Sequence, residues 1–139
     1  MEIKRYSGVI VKCKDKVLLC KRNKNGSFPG MWSIPAGHIE DGEESIDAAK
    51  REFFEETSVD IDNKILRFVG ILPRHTRDGR KFKGLMYVYI LDTDDIIEPD
   101  FELAVDGDEH TDWGYFTKKE FNTLQIGKQL TQLLNLFFV

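Results

Sequence analysis

The segment that most constrains the fold is Glu43–Thr57, whose good helix formers present two different faces. Apolar residues recur there at helical spacing, at Ile46, Ala49 and Phe53. Each residue of a helix advances by about 100°, so three acids share an arc of roughly 100° beside this stripe, namely Glu52, Glu55 and Glu56. We expect a helix with Asp41 as its N-cap that packs by the apolar stripe and presents the acids next to it.

Strand and helix signals alternate on both sides of this helix. Runs rich in Val, Ile and Leu predict a hairpin of Ile3–Cys13 and Lys16–Arg22, followed by a loop at Asn23–Gly30. Further strands are predicted at Met31–Ile39 (as short edge segments), Lys64–Leu72, Phe82–Leu91 and His110–Phe116, and short helices at Lys118–Thr123 and Lys128–Phe137. The segments on either side of the basic loop at 73–81 are expected to pair as a long hairpin. The pattern indicates the α/β class, an α/β/α sandwich in which helices flank a mixed β-sheet.

Length and charge exclude several classes of protein. A chain of 139 residues suits one domain, which we take to be residues 1–139, and a net charge of −4 argues against duplex nucleic acid as a partner. Cys13 and Cys20 lie in apolar runs, so reduced core thiols are expected rather than a disulfide. No apolar run is long enough to span a bilayer and no secretory signal is visible, so the expectation is a soluble, cytoplasmic protein without a membrane partner.

Three neighbouring carboxylates on one helix repel one another, and a bound cation would offset that repulsion. Oxygen-only ligands suit hard cations such as Mg²⁺ or Mn²⁺, which keep open positions for water and substrate phosphate oxygens. The alternative is an acidic face that is simply solvated. The residues around the acids favour the metal.

From Gly37 to Val59 the sequence reads GHIEDGEESIDAAKREFFEETSV. This stretch resembles the signature of the Nudix hydrolases, Gly-x5-Glu-x7-Arg-Glu-apolar-x-Glu-Glu-x-Gly-apolar, at every fixed position except one. Ser58 stands where the family has glycine. Serine reaches a left-handed conformation only with some strain, so we expect strain where the chain leaves the helix.

The resemblance implies a divalent metal centre on the loop–helix–loop formed by the signature. By position, its ligands are the carboxylates of Glu52, Glu55 and Glu56 and the backbone carbonyl of Ala36. Gly37, Glu43 and Arg51 are then supporting residues, and Arg51 is placed to orient Glu55 one turn further along the helix. Surface ion pairs of little energetic weight are the alternative for Glu43 and Arg51.

The family's chemistry is attack of water on a phosphorus of the diphosphate bridge in a nucleoside diphosphate linked to another group. A base must accept the proton of that water. Relatives often use a glutamate on a loop before a late strand, which here corresponds to Glu109, as base or additional metal ligand. Glu55 and Glu56 are rival candidates for the base.

Substrate-binding candidates come from the loops around the expected site. Cationic and aromatic side chains that could grip phosphate or stack on a base are Arg22, Arg74, Arg77, Phe28 and Trp32. Solvated loop ends and core aromatics are the alternatives. His38 and His110 lack metal-ligand spacing and receive no role.

The resemblance favours a small-molecule nucleotide diphosphate derivative, with ADP-ribose or a nucleotide sugar slightly ahead. Pro35-Ala36-Gly37 and Pro73 are similar to the corresponding features of ADP-ribose-type pyrophosphatases. Alternatives are a nucleoside triphosphate pyrophosphohydrolase, an RNA 5′-end pyrophosphohydrolase and a non-catalytic nucleotide-binding module. A homodimer is common in the family, but no residue pattern here demonstrates one.

Overall fold

The computed structural model describes residues 3–24, 28–76 and 78–139. Arg77 and part of the predicted loop at Asn23–Gly30 lie outside these ranges. The described strands are β1 (Lys4–Cys13), β2 (Lys16–Arg22), β3 (Trp32–Ser33), β4 (Ala36–His38), β5 (Arg67–His75), β6 (Phe82–Thr93) and β7 (His110–Thr117). The described helices are α1 (Ser45–Thr57), α2 (Lys118–Phe121) and α3 (Lys128–Phe137), with a 3₁₀ turn at Gly107–Glu109.

The strands form one mixed sheet. Its main path runs β3-β2-β1-β6-β5, while β4 pairs with β1 and β7 pairs with β2. The pairing of β1 with β6 is parallel, and the other pairings between these strands are antiparallel. The predicted first hairpin and the long β5–β6 hairpin are both present, so the predicted mixed sheet is confirmed.

Helices cover both faces of the sheet, which explains the continuous apolar run of β1. Val9 and Val11 pack with Ala49 and Phe53 of α1 on one face. On the other face the neighbouring Ile10 packs with a second cluster that includes Phe121, Leu130 and Leu134 of α2 and α3. Successive residues of a strand point to opposite faces, so a strand covered on both sides is apolar at every position. The α/β/α sandwich is confirmed.

The start of α1 differs from the prediction. The helix begins at Ser45 rather than Glu43, and its N-cap is Glu44, which makes no side-chain cap hydrogen bond. The Asp41 cap is therefore wrong. The carboxylate of Glu43 accepts a hydrogen bond from the backbone N–H of Glu40 and binds Arg51, so the residues before Ser45 form a turn instead of a helical first turn.

The fifth strand lies further along the chain than predicted. It spans Arg67–His75 rather than Lys64–Leu72, because the turn that joins it to β6 is short: the N–H of Thr76 donates to the carbonyl of Lys81. Pro73 is tolerated because β5 is an edge strand. This shift carries Arg74 and His75 out of the predicted loop and into the sheet.

Both described cysteines are free and buried, as predicted. Within the described ranges, none of the helices has the length and apolar character needed to cross a membrane.

Candidate active site

The acidic face of α1 lies where β4 and the 3₁₀ turn at Gly107–Glu109 approach the helix. Glu52 and Glu55 are partly exposed, with 13% and 28% of their side-chain surface accessible, whereas Glu56 retains 1%. The N–H of Asp106 donates to the carbonyl of Glu55 at 2.7 Å, which ties the 3₁₀ turn to the helix. The three acids predicted to share one face do so, but their surroundings differ sharply.

Gly37 makes room for the carboxylate of Glu52. A Cβ atom at position 37 would lie 2.1 Å from Cδ of Glu52, closer than any real contact. A larger residue at position 37 would therefore displace the Glu52 carboxylate from its present position. The signature glycine leaves room for that carboxylate between β4 and α1.

Glu56 is a buried carboxylate without a partner. Within the described residues, neither of its side-chain oxygens accepts a hydrogen bond of normal geometry, although the Ala36 backbone N–H is near enough to stabilise the charged form. Burial raises the pKa of Glu56 well above its ordinary value, the charges of Glu109 and Glu52 add to the increase, and Arg22 and the Ala36 backbone oppose it. A buried polar atom without a partner is costly, so this group is suited to a ligand that supplies positive charge.

The nearest ionisable neighbour of Glu56 does not neutralise it. Nε2 of His110 lies 3.7 Å from Oε1 of Glu56. Burial and the charge of Arg22 lower the pKa of His110 to about 4, so the imidazole is neutral at physiological pH. The sequence analysis assigned no function to His110. In the structure its uncharged imidazole lies beside the acidic site.

Glu109 joins this acidic group from the far side. It ends the 3₁₀ turn, and its carbonyl accepts a hydrogen bond from the N–H of Asn23 at 2.8 Å. Partial burial raises the pKa of Glu109, and the charges of Asp106, Asp108 and Glu55 add to the increase while that of Arg22 opposes it. Burial raises the pKa of Glu52, as it does that of Glu56, and the charge of Glu109 adds to both increases. The structure therefore brings Glu109 into electrostatic contact with the signature acids.

Arg51 binds Glu43, which precedes α1, and also contacts Glu52 and Glu55 of the acidic face. Its Nε and Nη2 donate to the two carboxylate oxygens of Glu43 at 2.8 and 3.0 Å. Its Nη1 donates to Glu52 at 3.0 Å and to Glu55 at 3.2 Å, and Nη2 also reaches the carbonyl of His38. The bond from Arg51 lowers the pKa of Glu43. Glu43 is thus bound directly by Arg51, which fixes the loop before α1 to the helix, and Arg51 reaches Glu55 as expected.

The donor chemistry fits a hard cation. No group of three His, Cys, Asp or Glu side chains in the described ranges is already arranged around an ion position, because Glu52 and Glu55 face the Arg51 guanidinium. The unpartnered Glu56 nevertheless shows where positive charge is missing. Together with Glu52 and Glu55 it offers carboxylate oxygens only, which Mg²⁺ and Mn²⁺ prefer.

A cavity of about 460 Å³ is linked to the acidic site through Ala36 and Arg22, although none of the candidate glutamates lines it. Four of the five predicted substrate-binding residues line it, together with Ala36: Arg22, Phe28, Trp32 and Arg74. Arg77, the fifth, lies outside the described residues. The register of β2 on β7 places Arg22 opposite His110, and the charge of Arg22 acts on both Glu56 and Glu109.

Phe28 and Arg74 form one wall of this cavity. The Arg74 guanidinium lies 4.3 Å from the ring centroid of Tyr6 and 5.8 Å from that of Phe28. Phe28 has a φ of +54°, a left-handed conformation that bulky residues rarely adopt. The N–H of Met31 donates to the carbonyl of Phe28, and the N–H of Gly30 donates to the carbonyl of Arg22 in β2. This end of the loop is therefore tied to β2.

Two features of the site had no clear signal in the sequence. The approach of His110 to Glu56 joins segments far apart in the chain. The cation–aromatic stack on Tyr6 depends on the register of β1, β5 and β6. Both require the sheet pairing before they can be seen.

Solved structures share this architecture. A MutT NUDIX hydrolase from Burkholderia pseudomallei has a TM-score of 0.79 at 19% identity, covering 97% of this chain and 98% of that one. The E. coli dihydroneopterin triphosphate pyrophosphohydrolase has a TM-score of 0.74 at 18% identity, covering 99% and 97%. At this level of identity the likeness shows the fold, an α/β/α sandwich of the MutT type.

The NUDIX domain family model matches residues 3–137. The chain belongs to the Nudix family, as its signature predicts.

Curated relatives match a shorter part of the chain. Diphosphoinositol polyphosphate phosphohydrolase 2 of Rattus norvegicus is 34% identical over 100 residues, covering 72% of this chain and 50% of that protein. ADP-ribose pyrophosphatase of Methanocaldococcus jannaschii is 36% identical over 83 residues, covering 60% and 47%. The chain spans about half the length of the curated relatives it matches.

Proposed function

We propose that this chain is a pyrophosphohydrolase that uses Mg²⁺ or Mn²⁺ to hydrolyse the diphosphate bond of a nucleoside diphosphate linked to another group. The observation that carries the proposal is the Glu56 carboxylate, buried without a side-chain hydrogen bond of normal geometry in the described residues, together with a cavity lined by Arg22, the arginine whose charge acts on Glu56. Its acidic neighbours Glu52 and Glu109 increase the need for positive charge there. A cation bound between these acids and a substrate diphosphate would compensate the negative charge of both.

The names of the relatives support hydrolysis of a diphosphate. One is an ADP-ribose pyrophosphatase, and another is a phosphohydrolase of a diphosphoinositol polyphosphate. The acids of the signature are all present in this chain, which favours an enzyme over a non-catalytic binding module.

We assign the metal to Glu52, Glu55, Glu56 and the Ala36 carbonyl. Mg²⁺ or Mn²⁺, when bound, neutralises charge on phosphate oxygens and lowers the pKa of water. Arg51 orients Glu52 and Glu55, since its Nη1 donates to both. Glu56 would contribute its carboxylate oxygens in a site from which water is largely excluded.

We infer that Glu109 accepts the proton of the attacking water. It is more exposed than Glu56 and so can exchange that proton with solvent. Its raised pKa moves it toward the range in which a carboxylate is an effective base. Glu55 is the weaker candidate because Arg51 already occupies its carboxylate.

The cavity residues would bind the two ends of the substrate. Arg22 would donate to diphosphate oxygens, Arg74 offers a second cation for substrate phosphate, and Phe28 and Trp32 offer aromatic faces for a base. ADP-ribose or a nucleotide sugar is the favoured class. A cytoplasmic location, a homodimer and the absence of duplex nucleic acid as a partner stay predictions.

The test is a panel of ADP-ribose, nucleotide sugars, nucleoside triphosphates and 5′-triphosphorylated RNA, assayed with Mg²⁺ and with Mn²⁺ and with the products identified. We expect the diphosphate-linked compounds to be cleaved between their two phosphorus atoms. Preferred cleavage of triphosphates or of RNA would replace the favoured class by one of the alternatives.

Metal uptake provides a second arm that does not depend on turnover. Calorimetry with Mn²⁺ and a bound nucleotide should show uptake by the wild type and weaker uptake by Glu52→Gln. Glu102→Gln is the matched control, because Glu102 is exposed and lies outside the acidic site. Absence of metal uptake by the wild-type protein would overturn the proposal.

A further inference from the structure

A group of three cations, Lys4, Arg74 and Lys83, adjoins the cavity through Arg74, which lines it, whereas Lys4 and Lys83 are not among the lining residues; we name this group the remote basic cluster. Sheet pairing brings it together. Gly84 of β6 is paired with Lys4 of β1 on one side and with Arg74 of β5 on the other, and Lys83 directly precedes Gly84.

Aromatic rings contact two of these cations, Arg74 and Lys83. Arg74 stacks on Tyr6 at 4.3 Å, and the Phe28 ring lies within cation–π distance of both Arg74, at 5.8 Å, and Lys83, at 5.3 Å. Such contacts position a cation but leave its charge available to an anion.

No carboxylate forms a salt bridge with Lys4, Arg74 or Lys83 in the described part of the chain, where the ion pairs involve Arg51, Arg67 and His110. Partial burial lowers the pKa of Lys83, and the charges of Arg74, Lys4 and Arg22 lower it further. A chain with a net charge of −4 thus keeps three like charges together. An anion would relieve their mutual repulsion.

We propose that the remote basic cluster is a phosphate subsite that binds a phosphate group of the substrate other than the two joined by the scissile bond. Arg74 connects it to the cavity, which it also lines. A phosphate monoester could accept bonds from the Arg74 guanidinium and from the ammonium groups of Lys4 and Lys83.

The inference rests on the proposed function and narrows it. The substrate would be a diphosphate carried on a scaffold with at least one further phosphate monoester. A diphosphate compound without that group would still bind to the cavity, but would leave the remote basic cluster without an anion.

The kinetic test compares ADP-ribose with its 2′-phosphate, which differ only by one phosphate monoester. We expect the wild type to have the higher kcat/KM for the phosphorylated compound. In Lys83→Gln the ratio of the two kcat/KM values should fall on the order of tenfold, because a charge-assisted hydrogen bond is lost. Lys4→Gln, on a different strand, should lower the same ratio independently.

The matched control is Lys64→Gln, which removes the same charge from an exposed residue outside the remote basic cluster. Its ratio should stay within about twofold of the wild type, since long-range steering is similar in both variants. Equal ratios in Lys83→Gln, Lys4→Gln and Lys64→Gln would overturn the subsite.

A binding measurement separates this inference from the proposed function. Inositol hexakisphosphate carries several phosphate monoesters but no diphosphate, so calorimetry with it needs no turnover. We expect Lys83→Gln to raise its Kd on the order of tenfold and Lys64→Gln to leave it nearly unchanged. If the variants bind equally, the subsite fails even when ADP-ribose is hydrolysed. If binding depends on Lys83 but no diphosphate compound is cleaved, the subsite stands and the proposed function fails.

Discussion

The two ends of the acidic face on α1 differ in how their charge is compensated. Glu43 and Glu55 share the Arg51 guanidinium at hydrogen-bond distance. Glu56 is packed against a neutral His110, and its side-chain oxygens accept no hydrogen bond of normal geometry among the described residues. Glutamates that bind the Arg51 guanidinium thus have a structural role. Glu56, which has no such cationic partner in the described residues, is the one suited to a functional role.

The largest expected effect is that of Glu56→Gln. We expect turnover to fall on the order of a thousandfold, because the amide cannot supply the negative charge of the site. In metal-free buffer the melting temperature should rise, since a buried charge without a partner is removed. Full turnover, or a lower melting temperature, would contradict the interpretation of Glu56 as an uncompensated acid with a functional role. The control variant Glu102→Gln should change neither measurement.

The pH dependence of stability provides a check on the same residue. The folded-state pKa of Glu56 is raised above its ordinary value of 4.5, so the native state binds more protons than the unfolded chain between those two values. The contribution of Glu56 is therefore fully retained below pH 4.5 and is lost as the pH rises through the folded pKa. Denaturant titrations should show this decline in the wild type relative to Glu56→Gln, and added Mn²⁺ should reduce it.

Glu109→Gln should have the next largest effect. We expect turnover to fall about 100-fold at saturating Mg²⁺, because the proposed base is lost, with little change in melting temperature. A pH–rate profile distinguishes this from metal loss, since removal of the base eliminates the acidic limb. A variant that stays fully active across the pH range would assign the base to another glutamate.

Arg51→Gln tests the compensated end of the face. The change leaves Glu43, Glu52 and Glu55 without their common donor. We expect the free energy of unfolding to fall by about 2 kcal/mol. Chemical denaturation measures it, and Arg80→Gln, at an exposed position of the β5–β6 turn, is the control. The contrast predicts opposite signs, destabilisation by Arg51→Gln and stabilisation by Glu56→Gln, and equal signs would break it.

How much of this site the sequence predicts depends on the range of each contact. The shared face of Glu52, Glu55 and Glu56 follows from helical periodicity, and the fold follows from alternating strand and helix signals. The cap was wrong because the carboxylate of Glu43 binds the Glu40 N–H and Arg51, a contact that needs the folded loop. The neutral imidazole beside Glu56 belongs to His110, which only the β2–β7 pairing brings near.

The cavity, too, combines features that local sequence predicts with features that depend on tertiary pairing. Residue type singled out Arg22, Phe28, Trp32 and Arg74, and the structure brings them together. Residue type also marks Lys83 as one of the cations in the segment from Arg74 to Lys83, but its contact with Phe28 and the stack of Arg74 on Tyr6 could not be predicted, because they depend on the register of three strands. Local patterns specify which groups are available, whereas tertiary pairing decides which of them are compensated.

The smallest expected effect is at Ser58, the one departure from the signature. Ser58 ends α1 with a φ of +66°, and its N–H donates to the carbonyl of Phe54 at 2.8 Å, so the strain expected from the sequence is present. Glycine relieves a left-handed penalty of about 1 kcal/mol but costs roughly 0.5–1 kcal/mol of unfolded-chain entropy. Ser58→Gly should therefore change the free energy of unfolding by only about 0.5 kcal/mol at most, in the stabilising direction. Ser58→Ala keeps the Cβ atom and should not stabilise. A marked loss of stability in Ser58→Gly but not in Ser58→Ala would mean that the left-handed conformation at Ser58 is not a source of strain at the end of α1.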